Sequence, residues 1–280
     1  MLYKGTLFVI LIFVSQTCPV FSEELAPLEL AQEIFSRDTH INILDYVTGE
    51  YTGDPNGKDL NENSQLRFIL LMQDEDSAVV AMEIYDDGGY GIDYYLFFTK
   101  ETVWRMYAIR SLWMPRFFEE IVNELGQMAD EEIENMINAN NEYSIFSTMD
   151  EYNFMLGNGR LILETDDNII AHFNEHMEEF ERLKDSAVKE LDGLFPDGNI
   201  EGQVNLITDL ESDYRKLYIS SISIGDIDFG LSINFLLGGI LDNSDGYIYT
   251  SDKINLPKMS PNGVIMIREI GNGWYMYKTT

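Results

Sequence analysis

The chain has few cysteines and few basic residues, and both shortages limit what it can do. Its 280 residues include one cysteine, and 18 Lys and Arg stand against 49 Asp and Glu, so the formal net charge is −31. One cysteine cannot form an intrachain disulfide or a cysteine-rich zinc site. The acidic excess repels nucleic-acid phosphates and anionic lipid surfaces, so we expect no nucleic-acid binding. Because 45% of the residues are hydrophobic and 12% are aromatic, we nevertheless expect a globular protein.

Long apolar stretches are also scarce. The apolar run near the start, Leu7–Val14, would span about 12 Å as a helix, which is too short to cross a bilayer. Val20 and Ser22 follow at the spacing that signal peptidase prefers. The sequence therefore predicts that residues 1–22 are a secretory signal peptide, cleaved between Ser22 and Glu23. The protein would then be periplasmic or secreted, with no transmembrane span.

The single cysteine, Cys18, leaves an alternative open. A lipoprotein signal places a lipidated cysteine directly after the apolar run, although Ser15 and Thr17 depart from the residues that this motif prefers. Lipidation at Cys18 would anchor the protein to the cell envelope. Cleavage after Ser22 would instead remove the only thiol and leave 17 basic and 49 acidic residues, a net charge of −32.

Hydrophobic patterning predicts an α+β fold with helices packed on antiparallel sheets, in two consecutive α+β subdomains, 23–140 and 141–280. In the first subdomain, four strand-length runs joined by short turns predict an antiparallel meander followed by two helices. In the second, one long helix precedes further strands, and Gly271-Asn272-Gly273 predicts a hairpin. Gly157-Asn158-Gly159 is predicted to be an ordinary turn. The predicted elements are strands 66–72, 78–85, 92–98, 103–109, 217–224, 229–237, 246–250, 264–270 and 274–277, and helices 25–35, 115–126, 130–137 and 167–191.

Six segments carry a resemblance: Trp104-Arg105, Ala108–Leu112, Asp166–Phe173, Phe180–Leu183, Gly246-Tyr247 and Ile270–Tyr277. Together they resemble an uncharacterised family of exported proteins and lipoproteins of Gram-negative bacteria. The resemblance implies export but no activity, cofactor or site residue. The first half also resembles the cystatin-like roll of nuclear-transport-factor-like domains, in which a curved sheet cradles a helix; that fold hosts both enzymes and binding modules.

One motif has the spacing of a metal site. His172, Glu175 and His176 form the sequence H-x-x-E-H, the order found in inverted zincins. On a helix, two histidines four residues apart can share a zinc ion, and the glutamate between them can act as a general base. A zinc-dependent hydrolase with His172 and His176 as ligands and Glu175 as catalytic residue is therefore one alternative. The competing interpretation is an amphipathic helix with two boundary histidines, because the motif supplies no third ligand.

Acidic residues are concentrated in one segment. From Phe117 to Gly159 the sequence has no Lys or Arg and ten Asp or Glu. This segment is either a solvated helical surface or a binding surface for a basic protein or divalent cations. We therefore expect a non-catalytic binding module of the cell envelope without a cofactor. An inhibitor or immunity-type protein for a basic enzyme is a further alternative, and the oligomeric state is left open.

Overall fold

The computed structural model describes residues 24–87, 91–112, 115–139, 144–194, 204–206, 210–226, 230–240 and 243–280. The predicted signal peptide, which includes Cys18 and Ser22, lies outside these ranges, and so does Glu23 on the other side of the predicted cleavage site. Within them the chain forms seven α-helices, a four-stranded antiparallel sheet and a six-stranded antiparallel sheet. The predicted α+β class is therefore confirmed. No helix among the described residues is long and apolar enough to cross a membrane.

The first sheet is the predicted meander, in the order β1-β2-β3-β4. Short connections force neighbouring strands to run antiparallel, and each strand alternates its side chains between the two faces. Helix α1 (Pro27–Ile34) covers one face, where Leu30 and Ile34 pack with Val80, Leu96 and Phe98. The strands are β1 (Gln65–Gln73), β2 (Ser77–Tyr85), β3 (Gly91–Lys100) and β4 (Trp104–Arg110).

The opposite face of the first sheet packs against the second half of the chain. Val79, Ala81, Tyr95 and Phe97 belong to the same hydrophobic cluster as Phe173 and many other residues after position 160. Both faces of this sheet are therefore covered. The division into 23–140 and 141–280 stays a prediction, but the two halves share a core.

Three helices follow the meander, and they have a small core of their own. They are α2 (Pro115–Gln127), α3 (Asp130–Asn138) and α4 (Met149–Ile162). Leu125, Ile133, Phe146 and Tyr152 form their common cluster. The first two helices match the prediction, whereas α4 was not predicted.

The predicted turn at Gly157-Asn158-Gly159 is wrong, because all three residues lie inside α4. The glycines permit a close approach: a Cβ at Gly157 would stand 2.1 Å from the ring of Tyr218. Asn158 donates hydrogen bonds from Nδ2 to the carbonyls of Tyr218, at 2.6 Å, and Leu237, at 2.9 Å. Tertiary contacts, rather than turn formation, explain these residues.

The predicted helix 167–191 is also wrong in one respect, since it is two helices. α5 (Asp166–Glu175) ends at His176, and α6 (Met177–Leu194) begins directly after it. The apolar stripe survives the break, because Phe173 and Phe180 pack ring to ring at 4.7 Å. Both helices therefore still cover the core on either side of the break.

The second sheet has the order β5-β6-β7-β8-β10-β9, so that β10 lies between two strands that precede it in the chain. The predicted hairpin is confirmed, and Asn272 adopts the left-handed conformation with φ of 54°. A one-turn helix, α7 (Glu211–Tyr214), precedes β6. The strands are β5 (Val204–Leu206), β6 (Ser221–Asp226), β7 (Gly230–Ile240), β8 (Asn243–Tyr249), β9 (Val264–Gly271) and β10 (Trp274–Thr279).

Candidate functional site

The H-x-x-E-H motif lies at the break between α5 and α6. The rings of His172 and His176 are 4.7 Å apart, so the structure brings the two predicted ligands together. The Nε2 atom of His172 lies 3.2 Å from the carbonyl oxygen of Leu217, and burial lowers the pKa of His172. Glu175 is exposed.

A third metal ligand is missing from the neighbourhood of this pair. In the part of the chain that the structure describes, no group of three or more His, Cys, Asp or Glu side chains could hold a metal ion. A carbonyl oxygen only accepts hydrogen bonds, so the contact with Leu217 makes Nε2 of His172 a donor rather than a free ligand atom. The zinc site and the catalytic role of Glu175 therefore stay predictions without support from the geometry.

The acidic segment forms an exposed surface on α2, α3 and the start of α4. We name this surface the acidic helical face, and define it by eight exposed carboxylates. None of the eight takes part in an ion pair within the described ranges. A shallow open cavity of about 400 Å³ lies on α3, lined in part by Glu131, Glu132 and Met136. The eight residues are Glu119, Glu120, Glu124, Asp130, Glu131, Glu132, Glu134 and Asp150.

A second set of charges is buried between the two sheets, and it was not predicted from the sequence. We name it the buried charge cluster: Asp93 on β3, Asp166 at the start of α5, Asp245 on β8 and Lys278 on β10. The Nζ atom of Lys278 lies 2.6 Å from Oδ1 of Asp166 and 3.4 Å from Oδ2 of Asp93. Asp245 and Lys278 stand directly opposite each other on neighbouring strands.

Strand geometry explains how these residues meet. Side chains two positions apart on a strand point to the same face, so Asp93 lies on the core-facing side of the first sheet together with Tyr95 and Phe97. Lys278 follows Met276 onto the core-facing side of the second sheet in the same way. The amide of Asp166, in the first turn of α5, donates to Oδ2 of Asp93 at 2.8 Å, so this carboxylate also compensates the positive end of the helix.

Some polar atoms of the buried charge cluster have hydrogen-bond partners and others have none. The hydroxyl of Tyr95 donates to the carboxylate of Asp166, with both oxygens within 3.0 Å. By contrast, Oδ1 of Asp93 and both carboxylate oxygens of Asp245 have no hydrogen-bond partner. Three carboxylates therefore share one ammonium group, and a buried charge without a partner is costly.

The electrostatic consequence is that protons bind to the cluster near neutral pH. Burial, followed by the charge of Asp166, raises the pKa of Asp93 to about 7. Burial likewise raises the pKa of Asp245 to about 7, although the charge of Lys278 acts in the opposite direction. Burial lowers the pKa of Lys278, but the charges of Asp166 and Asp93 together raise it by more, so its net pKa lies above the ordinary value.

A more exposed ion-pair network borders the buried charge cluster. Arg67 donates from Nε and Nη2 to the fully buried carboxylate of Glu83, both at 2.6 Å, and also pairs with Asp167. Arg268 reaches Asp167 at 2.7 Å from β9. Register places Arg67, Glu83 and Asp93 side by side on β1, β2 and β3. These ion pairs connect the first sheet to α5 and α5 to the second sheet.

Comparisons with known proteins add nothing to this geometry: no family model, no curated protein and no solved structure matches the chain.

Proposed function

We propose that the protein is a non-catalytic binding module of the cell envelope, and that its acidic helical face docks a basic protein partner. The observation that carries this proposal is that eight carboxylates lie exposed on three consecutive helices, α2, α3 and α4, without ion pairs in the described part of the chain. Long-range attraction to a cationic surface would speed association and would weaken as salt rises.

The distribution of charge supports a docking role over general solubility. Elsewhere some exposed acids are paired with bases, as in Lys253–Glu269 and Lys216–Asp213, and the unpaired ones are not gathered in such number on neighbouring helices. The acidic helical face keeps its negative charge concentrated instead. It also includes an apolar side chain, since Met136 lines the cavity beside Glu131 and Glu132. Carboxylates beside an apolar side chain are suited to a basic, partly apolar surface. Export and envelope location are part of the same proposal and rest on the predicted signal peptide.

The test compares three baits in a pull-down from envelope extract. The first is the unaltered protein, and the second carries Glu131→Gln, Glu132→Gln and Glu134→Gln on α3. The third is a matched control in which three neighbouring exposed acids, Asp74, Glu75 and Asp76 in the turn between β1 and β2, are changed to amides. Circular dichroism checks that all three are folded.

We expect a partner of basic isoelectric point to bind the first and third baits and to be lost from the second. Binding should weaken by at least about tenfold between low and moderate salt. If the unaltered protein recovers no partner at either salt concentration, or if the second and third baits lose binding equally, the acidic helical face is not the docking surface. A basic enzyme as the partner would identify the inhibitor or immunity type of binding module.

A further inference from the structure

Lys278 and Asp166 meet in a setting that favours more than an ion pair. Nζ of Lys278 lies 2.6 Å from Oδ1 of Asp166, and the two side chains are 5% and 1% exposed. Burial excludes the water that would stabilise two separated charges, so the neutral product of their condensation gains relative to the ion pair. Held at this distance, the two groups also react as parts of one molecule, which raises their effective concentration by orders of magnitude.

Tyr95 holds the carboxylate of Asp166 from another side. Its hydroxyl lies 3.0 Å from Oδ1 and 2.9 Å from Oδ2, and its ring is beneath the ammonium group, 5.9 Å from Nζ to the ring centre. A hydrogen-bond donor on the carboxyl oxygens stabilises the negative charge that develops there when a nucleophile attacks the carboxyl carbon. Tyr95 therefore both orients Asp166 and activates it.

Asp93 is placed to move the protons that such a reaction requires. Its Oδ2 atom lies 3.4 Å from Nζ of Lys278, and its buried Oδ1 atom has no hydrogen-bond partner. Because burial raises the pKa of Asp93 to about 7, this carboxyl is a stronger base than an ordinary aspartate and can later return the proton as an acid. This matters because Lys278 rests as an ammonium ion, whose pKa is raised by the neighbouring aspartates.

We propose that Lys278 and Asp166 condense to form an intramolecular isopeptide bond, with Asp93 as the proton carrier. Asp93 takes a proton from the ammonium group, and the amine lone pair of Nζ attacks Cγ of Asp166. Nζ loses a second proton as the C–N bond forms, and the carboxyl oxygen that departs leaves with two protons as water. The balance is one ammonium and one carboxylate converted to one amide and one water molecule. No oxidant, nucleotide or metal is needed.

The bond would join β10 covalently to the start of α5, across the interface between the second sheet and the first. Such a link constrains the unfolded chain in the way that a disulfide does. It would supply a covalent link to a chain whose single cysteine excludes a disulfide within it. The inference is independent of the proposed docking function, because the acidic helical face takes no part in it.

The test is the mass of the folded protein under denaturing conditions. We expect a mass lower than that of the amino-acid sequence by one water molecule, and, after proteolysis, a single linked species that contains both Asp166 and Lys278. Protein kept in denaturant from the start should keep the full mass, since the unfolded chain does not hold the groups together. A folded protein that retains the full mass after prolonged incubation overturns the proposal.

Three variants distinguish formation of the bond from a purely structural role of these residues. Asp166→Asn keeps an acyl group that the amine can attack, so it should form the same amide with loss of ammonia instead of water. Lys278→Arg should form no link, and Asp93→Asn should slow formation by about a hundredfold or more. Circular dichroism confirms folding of each variant. A linked peptide that lacks Asp166, or an unchanged rate in the folded Asp93→Asn protein, contradicts the assignment.

Discussion

Asp245 gives the sharpest prediction for stability, because its carboxylate is fully buried and neither oxygen has a hydrogen-bond partner. The perturbation is Asp245→Asn, which removes the charge and keeps the shape. Burial raises the pKa of this group from 3.8 to about 7 in the folded protein. A shift of about three units corresponds to about 4 kcal/mol between the two protonation states.

The direction of the pH effect follows from proton binding. Between about pH 4 and pH 7 the unfolded chain has lost the Asp245 proton while the folded protein still holds it. The free energy of unfolding therefore falls as pH rises through this window. Burial is the largest cause of the shift, so its direction does not depend on whether Lys278 and Asp166 have condensed; while they are charged, Lys278 lowers and Asp166 raises the pKa of Asp245. From about pH 5 to about pH 8, Asp245 alone should cost the protein about 3 kcal/mol of stability.

The assay is urea unfolding of the original protein and of Asp245→Asn at about pH 5 and pH 8, followed by circular dichroism. The buried amide of the variant has a desolvation cost of about 1–3 kcal/mol that does not change with pH. The informative quantity is therefore the difference in free energy of unfolding between the two proteins, compared at the two pH values. We expect this difference to change by about 3 kcal/mol in favour of the variant at the higher pH. Asp38→Asn, at an exposed site, is the control and should show no such change. A difference that is independent of pH would refute the reasoning.

Two further perturbations test the packing and the ion-pair network by the same unfolding assay. Gly157→Ala should destabilise the protein by about 1–3 kcal/mol, because the added Cβ would overlap the Tyr218 ring. Gly126→Ala, where the nearest atom would be 3.5 Å from the added Cβ, should instead stabilise α2 by about 0.5–1 kcal/mol. Equal effects of the two substitutions would show that helix propensity alone governs both sites. Glu83→Gln should lower the free energy of unfolding by about 2 kcal/mol, because it removes the buried negative charge that pairs with Arg67, whose half-exposed side chain is partly screened by water. A loss below about 0.5 kcal/mol would mean that this pair contributes no more than a surface ion pair.

The meander and the terminal hairpin could be predicted from the sequence because local signals decide them. Strands of period two separated by acidic or glycine-rich turns allow few other arrangements, and Gly271-Asn272-Gly273 supplies the left-handed conformations that the last turn needs. Helix α4 could not be predicted in the same way. Gly157 and Gly159 weaken the helical pattern, and their reason for being there is the approach of Tyr218 and Val122 from elsewhere in the chain.

The buried charge cluster was missed for a related reason. Asp93 and Lys278 look like solvent-exposed strand ends when each strand is considered alone. Their strand positions did carry a signal, because both continue the inward-facing alternation of buried residues, Tyr95 and Phe97 in one case and Met276 in the other. What the sequence could not supply is that a helix beginning with Asp166 closes the space between those two strands.

The position of β10 has a consequence for the order in which the protein can be assembled. β10 lies between β8 and β9 although it is synthesised after both, so those two strands cannot join one sheet until β10 has arrived. Until then Asp93, Asp166 and Asp245 also lack the one cation that they share. A chain still emerging from the ribosome can already form the first sheet, whose strands are consecutive, but its second sheet stays incomplete until β10 has been made.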